Sequence, residues 1–187
     1  TKQWVMVLYI DQPRSFAFLT SPDLKTWTST GCSIPDLYEC PDFFELPVDG
    51  DPDNTRWVLI EGDGHYMLGD FDGKTFIPET GKLLLDYGNN FYATQTFNDM
   101  PANDTRRVQI AWMNGGKYPD MPFNQQMTFP CELSLHTFAD GLRVCRQPVK
   151  ELERLRVKTF TVDQTVLRPH DKNPLAGIAG ALLEIRL

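Results

Sequence analysis

Tyr38-Glu39-Cys40-Pro41-Asp42 sets one carboxylate between an aromatic ring, a thiol and a proline, directly ahead of the apolar run Phe43-Phe44-Glu45-Leu46. A glutamate at the mouth of a buried strand is partly stripped of water, which disfavours its charged form and is expected to raise its pKa. A carboxyl that keeps its proton near neutral pH is what general-acid chemistry needs. The same pattern also suits an exposed loop carboxylate or a structural ion pair, since perturbed carboxylates often serve structure alone.

The residues that hold metals are poorly arranged for it. Cys32, Cys40, Cys131 and Cys145 form no C-x-x-C pair, and His65, His136 and His170 do not cluster with them. A zinc site is not expected, and small half-buried thiols are the better reading of the cysteines. Asp49-Gly50-Asp51-Pro52-Asp53-Asn54 opens like a calcium loop, but Ile60 stands in place of the bidentate glutamate that should close it. We read it as a turn, and expect neither a metal nor a cofactor.

The elements that must position these residues are strands. Trp4–Tyr9 and Ser15–Leu19 are short apolar or alternating runs on either side of the turn Asp11-Gln12-Pro13-Arg14. Ser21-Pro22-Asp23-Leu24-Lys25-Thr26-Trp27 is a polar turn closed by a tryptophan, whose ring either packs on a neighbouring blade or caps its own hairpin. Residues 43–77 hold four short strands, Phe43–Val48, Trp57–Ile60, His65–Phe71 and Thr75–Ile77, with turn signals between them. That is the content of one four-stranded propeller blade. The pattern repeats through Asn90–Phe97, Arg106–Met113, Glu132–His136 and Leu142–Val144, with a long loop at 114–128.

Pro148–Leu155 is the one helical candidate, with apolar residues three apart and Pro at its start. Its basic residues, with Arg143, Arg146, Arg156 and Lys158, read as a solvated face. Beyond it Thr159–Val166 and Leu182–Leu187 alternate like strands. The expected fold class is therefore all-β, with a domain boundary at the helical candidate.

Composition bounds the partners. The 187 residues suffice for one core or for one domain and part of another. A hydrophobic share of 41% makes a packed core possible, and a net charge of −7 argues against nucleic acid or an anionic membrane as the main partner. No run of about 18 apolar residues is present, so no helical membrane span is expected. Asn103-Asp104-Thr105 matches an N-glycosylation acceptor, a pattern that arises often by chance.

Glu39-Cys40-Pro41-Asp42, followed by Phe44-Glu45-Leu46-Pro47, resembles the acid/base motif of glycoside hydrolase family 32, which contains the invertases, inulinases and levanases. Four further stretches agree in order and spacing: Gly69-Asp70-Phe71-Asp72-Gly73; Asp86-Tyr87-Gly88 with Phe91-Tyr92-Ala93; Ile110-Ala111-Trp112-Met113; and Phe129-Pro130-Cys131-Glu132-Leu133-Ser134-Leu135. The resemblance covers nearly the whole chain. It implies a partial five-bladed β-propeller over 1–147, a linker at 148–156, and the start of a β-sandwich over 157–187.

By the same resemblance Glu39 is the catalytic acid/base, while Cys40, Asp86, Tyr92 and Trp112 contact substrate. Each has a plainer alternative: Tyr92 and Trp112 as core, Asp86 as a turn former ahead of Gly88. Asn89 and Cys131 stand where members of the family place a lysine and an arginine, so contacts at those positions do not carry over. A retaining glycosidase needs two carboxylates about 5–5.5 Å apart, yet the chain holds neither a Trp-x-Asn-Asp-Pro-type nucleophile motif nor an Arg-Asp-Pro motif. The family places both upstream of a strand like Trp4–Tyr9, so residues 1–187 are expected to be a fragment without hydrolytic activity of its own. The implied activity is retaining hydrolysis of terminal β-D-fructofuranosides of levan, inulin or sucrose, outside the cell or in the periplasm. The opposing reading is a non-catalytic propeller remnant that binds fructans, and a third is a related propeller glycosidase acting on arabinosides.

Overall fold

Apolar side chains alternate along nearly every strand, and the alternation decides which face each one buries. The computed structural model describes residues 3–180 and 182–186. They divide into two units, Thr1–Lys150 and Glu151–Leu187.

The first unit opens with β1 (Trp4–Ile10), β2 (Ser15–Ser21) and β3 (Thr28–Pro35), an antiparallel sheet in sequence order. Between β2 and β3 the Asp23 carboxylate accepts the N–H groups of Lys25 and Thr26, and the Trp27 indole N–H donates to the Leu24 carbonyl. Trp27 thus closes its own turn.

Next come β4 (Asp42–Val48), β5 (Asp51–Ile60), β6 (His65–Phe71) and β7 (Phe76–Pro78), each antiparallel to the one before, with the two-residue β8 (Leu83–Leu84) on β6. Only Asp49 and Gly50 form the turn expected over residues 49–54; Asp51–Asn54 already belong to β5. A third antiparallel group follows, β9 (Tyr92–Thr96), β10 (Arg107–Trp112), β11 (Cys131–Phe138) and β12 (Gly141–Pro148), continuous with β4–β8 in one nine-stranded sheet. This group meets the second through a single parallel pair, Leu135↔Val48, reinforced by the Asp49 carboxylate, which accepts from the Thr137 N–H and hydroxyl at 3.0 and 2.6 Å.

The middle blade is buried on both sides. Phe44, Leu46, Val48, Val58, Ile60, Tyr66 and Leu68 face the third blade and pack on Leu133, Leu135 and Val144. The intervening residues Phe43, Trp57, Leu59 and Met67 face the first blade, with Phe16, Phe18, Ile34 and Leu37. Phe43 stacks on Trp57 at 4.5 Å and meets Phe18 edge-on at 5.2 Å. Each such ring or branched side chain stabilises the packing by about 1.5–3 kcal/mol relative to exposure. Gly69 is demanded by the pairing of β6 with β7, because a Cβ there would sit 2.2 Å from the Ile77 carbonyl oxygen.

Lys150–Leu155, where the first unit gives way to the second along the chain, forms a 3-10 helix, shorter and tighter than the helix expected over Pro148–Leu155, since Pro148 still belongs to β12. The strands expected at 159–166 and 182–187 are absent among the described residues; position 187 itself lies outside them. Two isolated strand sequences have no third strand or packed helix to hold them, and such pairs are marginal in water. Within the second unit Arg156 grips both oxygens of Glu184 at 2.8 Å and holds that carboxyl down at about 2.

Candidate active site

Glu39 sits on the loop that enters β4. Glu39 and Cys40 both adopt left-handed backbone angles, φ 45° and 46°, and Asp36 does so at φ 61°. Non-glycine residues avoid this region, and runs of them persist only where the surroundings over-determine the chain path.

The surroundings do so from three sides. Leu37, 1% exposed, anchors the loop in the core between the first two blades. The Gly62 N–H donates to the Tyr38 and Glu39 carbonyls at 3.2 and 3.0 Å. From the third blade, Gln95 Nε2 donates to the carbonyls of Cys40 and Pro41 at 3.2 and 3.3 Å, and the Thr96 N–H donates to Asp42 Oδ2 at 2.6 Å. Burial pushes the Asp42 carboxyl up, against the pull of the Thr96 hydroxyl and N–H.

The Glu39 carboxylate faces the innermost strand of the third blade, where the Tyr92 hydroxyl donates a hydrogen bond to its Oε2. Burial, together with that hydrogen bond and the charge of Glu39, drives the Tyr92 phenol far above its ordinary range. The Tyr38 hydroxyl is also raised, chiefly by Glu39. The carboxylate is therefore flanked by two phenols that keep their protons. Trp112, paired with Tyr92 across β9 and β10, brings its ring to 6.4 Å from the tyrosine, and its indole N–H donates to Gln125. Cys40 packs beside Gly62, and desolvation raises its thiol, so it lines the site as a neutral group.

Four of the five expected site residues are thus gathered at the junction of the second and third blades. Asp86 is engaged differently. Its carboxylate forms an ion pair with Arg146 and accepts the Gly88 N–H at 2.8 Å. Arg146 stacks on the Phe91 ring at 4.4 Å and reaches the Cys131 sulfur at 3.8 Å. The expectation of a solvated Arg146 is corrected: its side chain is 15% exposed and tied to the Asp-Tyr-Gly turn. Sequence reasoning also missed Gln95, which holds the Cys40 and Pro41 carbonyls, and Glu61, which accepts the Tyr38 N–H and pairs with Lys82.

Among the described residues one group, Glu61, Asp63 and His65, brings potential metal ligands within 4.8 Å of one another. Lys82 Nζ already lies 2.7 Å from Glu61, and His65 Nδ1 lies 2.8 Å from Asp63, so the local charge is met by side chains. Chemically, the site offers one half-buried carboxyl between proton donors and beside an aromatic ring. A carboxyl so placed can exchange a proton with a bound group, next to a surface on which the apolar face of a small polyol can stack.

The model for the glycosyl hydrolases family 32 N-terminal domain matches residues 1–148. A levanase of Bacillus subtilis is 37% identical over an alignment covering 98% of this chain and 30% of the relative. An extracellular exo-inulinase of Aspergillus niger is 30% identical, covering 79% of this chain and 32% of its own. The crystal structure of exo-inulinase from Aspergillus awamori superposes with a TM-score of 0.68 at 28% identity, over 78% of this chain and 33% of that one. Fructan 1-exohydrolase IIa from Cichorium intybus gives 0.64 at 25% identity, over 83% and 34%. The chain spans about a third of the length of these relatives.

Proposed function

The chain belongs to glycoside hydrolase family 32, and from that premise we propose that it carries the acid/base half of a retaining β-fructofuranosidase site. The observation that carries this reading is the Glu39 carboxylate, held on a left-handed loop with the Tyr92 hydroxyl on its oxygen and the Trp112 ring beside that tyrosine. Glu39 protonates the departing oxygen of a terminal fructosyl unit, then takes a proton from the water that releases the sugar. Cys40, Tyr92 and Trp112 line the fructosyl pocket. Asp86 acts with Arg146 on sugar hydroxyls at its rim.

The substrates are levan, inulin or sucrose; relatives named levanase and exo-inulinase support the first two. Levan and inulin are polymers met outside the cell, and the Aspergillus niger relative is named as extracellular; an extracellular or periplasmic setting follows. A retaining mechanism needs a second carboxylate, and residues 1–187 carry no Trp-x-Asn-Asp-Pro-type motif to supply it. On this proposal residues 1–187 alone release no fructose.

The test is Glu39→Gln in a longer polypeptide that supplies that carboxylate, assayed for fructose release from levan, inulin and sucrose. A positioned general acid/base contributes about 10²- to 10⁴-fold, and a loss in that range is expected. Unchanged turnover on all three substrates would remove the assignment.

A further inference from the structure

A buried carboxylate stands behind the Glu39 loop without touching the Glu39 carboxyl. Glu61 is 2% exposed and lies at the end of β5, where an apolar residue would bury at less cost. Its two oxygens have separate tasks. Oε2 accepts the backbone N–H of Tyr38 at 2.7 Å, and Oε1 accepts Lys82 Nζ at 2.7 Å. Lys82 in turn donates to the Asp36 carbonyl. The next residue, Gly62, donates its N–H to the carbonyls of both Tyr38 and Glu39.

We propose that Glu61, braced by Lys82, is a positioning residue that fixes the Asp36–Cys40 loop so that Glu39 meets Tyr92. The inference rests on the assignment of Glu39 as acid/base.

The physical case has two parts. Asp36, Glu39 and Cys40 all lie in the disfavoured left-handed region, so the loop holds its path only while its backbone groups stay satisfied. The Tyr38 N–H sits in the middle of that stretch, and Glu61 is its acceptor. A charged acceptor binds an N–H more strongly than a neutral one, but it is tolerated in the interior only if paired. Lys82 supplies that pairing and extends the grip to Asp36. Removing Glu61 strands a backbone donor and frees the loop to relax toward right-handed angles, which carries the Glu39 carboxyl away from its reacting position.

The experiment uses the longer polypeptide and two fructosyl donors. Sucrose needs a proton on its leaving oxygen; fructofuranosyl fluoride with azide as acceptor needs neither an acid nor a base. Displacement of a catalytic group by about 1 Å costs about 100-fold, so Glu61→Ala should lower kcat on sucrose by about that factor with KM within about threefold. On the fluoride with azide, where Glu39 moves no proton, the loss should shrink to about fivefold or less. Glu61→Gln keeps an oxygen for the Tyr38 N–H and should restore sucrose turnover to within about tenfold of wild type. Should the alanine variant not fold, Lys82→Met should show the same sucrose-selective loss, at about tenfold. Equal losses on both donors would overturn the positioning role, as would a glutamine variant no better than alanine. Failure of Glu39→Gln itself to show the sucrose-selective loss would instead bring down the acid/base assignment, so the two failures are separable.

Discussion

Tyr92 is tuned to be a donor and nothing else. Burial and the facing Glu39 hold its phenol far above the pH at which any carboxylate titrates, so it contributes a hydrogen bond and no pH limb of its own. Tyr92→Phe deletes one hydrogen bond to a charged group, worth about 1.5–3 kcal/mol, which corresponds to about a 10- to 100-fold loss if it is expressed in the rate-limiting step. Steady-state kinetics on levan from pH 5 to 9 should show a fall of that size with no new limb at alkaline pH; an unchanged kcat would separate Tyr92 from the chemistry. At this scale the sequence was legible where a motif was compact. Glu39 and Cys40 are contiguous, and Tyr92 and Trp112 each lie in a short strand motif. Glu61 and Gln95 were not legible, because their roles are to hold the peptide groups of residues 36–41, and a backbone partner leaves no trace in residue type. Arg146 was misread because a lone basic residue on an outer strand does not reveal that a carboxylate sixty positions away reaches it.

The connection between β9 and β10 carries a clamp of its own. Asp104 accepts Arg106 Nε at 2.9 Å and Nη2 at 2.6 Å, along with the Arg106 N–H, and the guanidinium holds that carboxyl at about 2. A carboxyl whose folded pKa lies below its unfolded value of about 3.9 stabilises the fold above that value. The contribution is lost as pH falls toward 2. Asp104→Asn should therefore lower the melting temperature at pH 7, and the gap should close between about pH 4 and pH 2; a gap that persists at pH 2 would assign it to geometry instead. Strands were the most legible elements, since β4, β5 and β6 alternate cleanly between two apolar faces. Asp51–Asn54 were read as a turn on composition, but Asp51 pairs with Val48 and Thr55 with Pro47, so the residues between them are carried within β5 as an irregularity of the pairing. Over residues 159–166 the same alternation forms no strand, because alternation only offers a face and a partner must accept it.

The order of the blades was legible, because each blade is a run of consecutive hairpins and so is written contiguously in the chain. How the blades adhere was not. The second and third share apolar side chains, the Asp49–Thr137 latch and a buried bond from the Val144 N–H to the Tyr66 hydroxyl at 3.0 Å, but only one parallel pair of their strands. Backbone hydrogen bonding therefore runs within blades and nearly stops between them, which gives each blade its own opening equilibrium. Native-state amide exchange in low denaturant should sort the protected amides of residues 42–78 and 92–148 into two isotherms. The sandwiched middle blade should hold out longer, and a single isotherm for all of them would mean that side-chain packing alone welds the blades into one cooperative body.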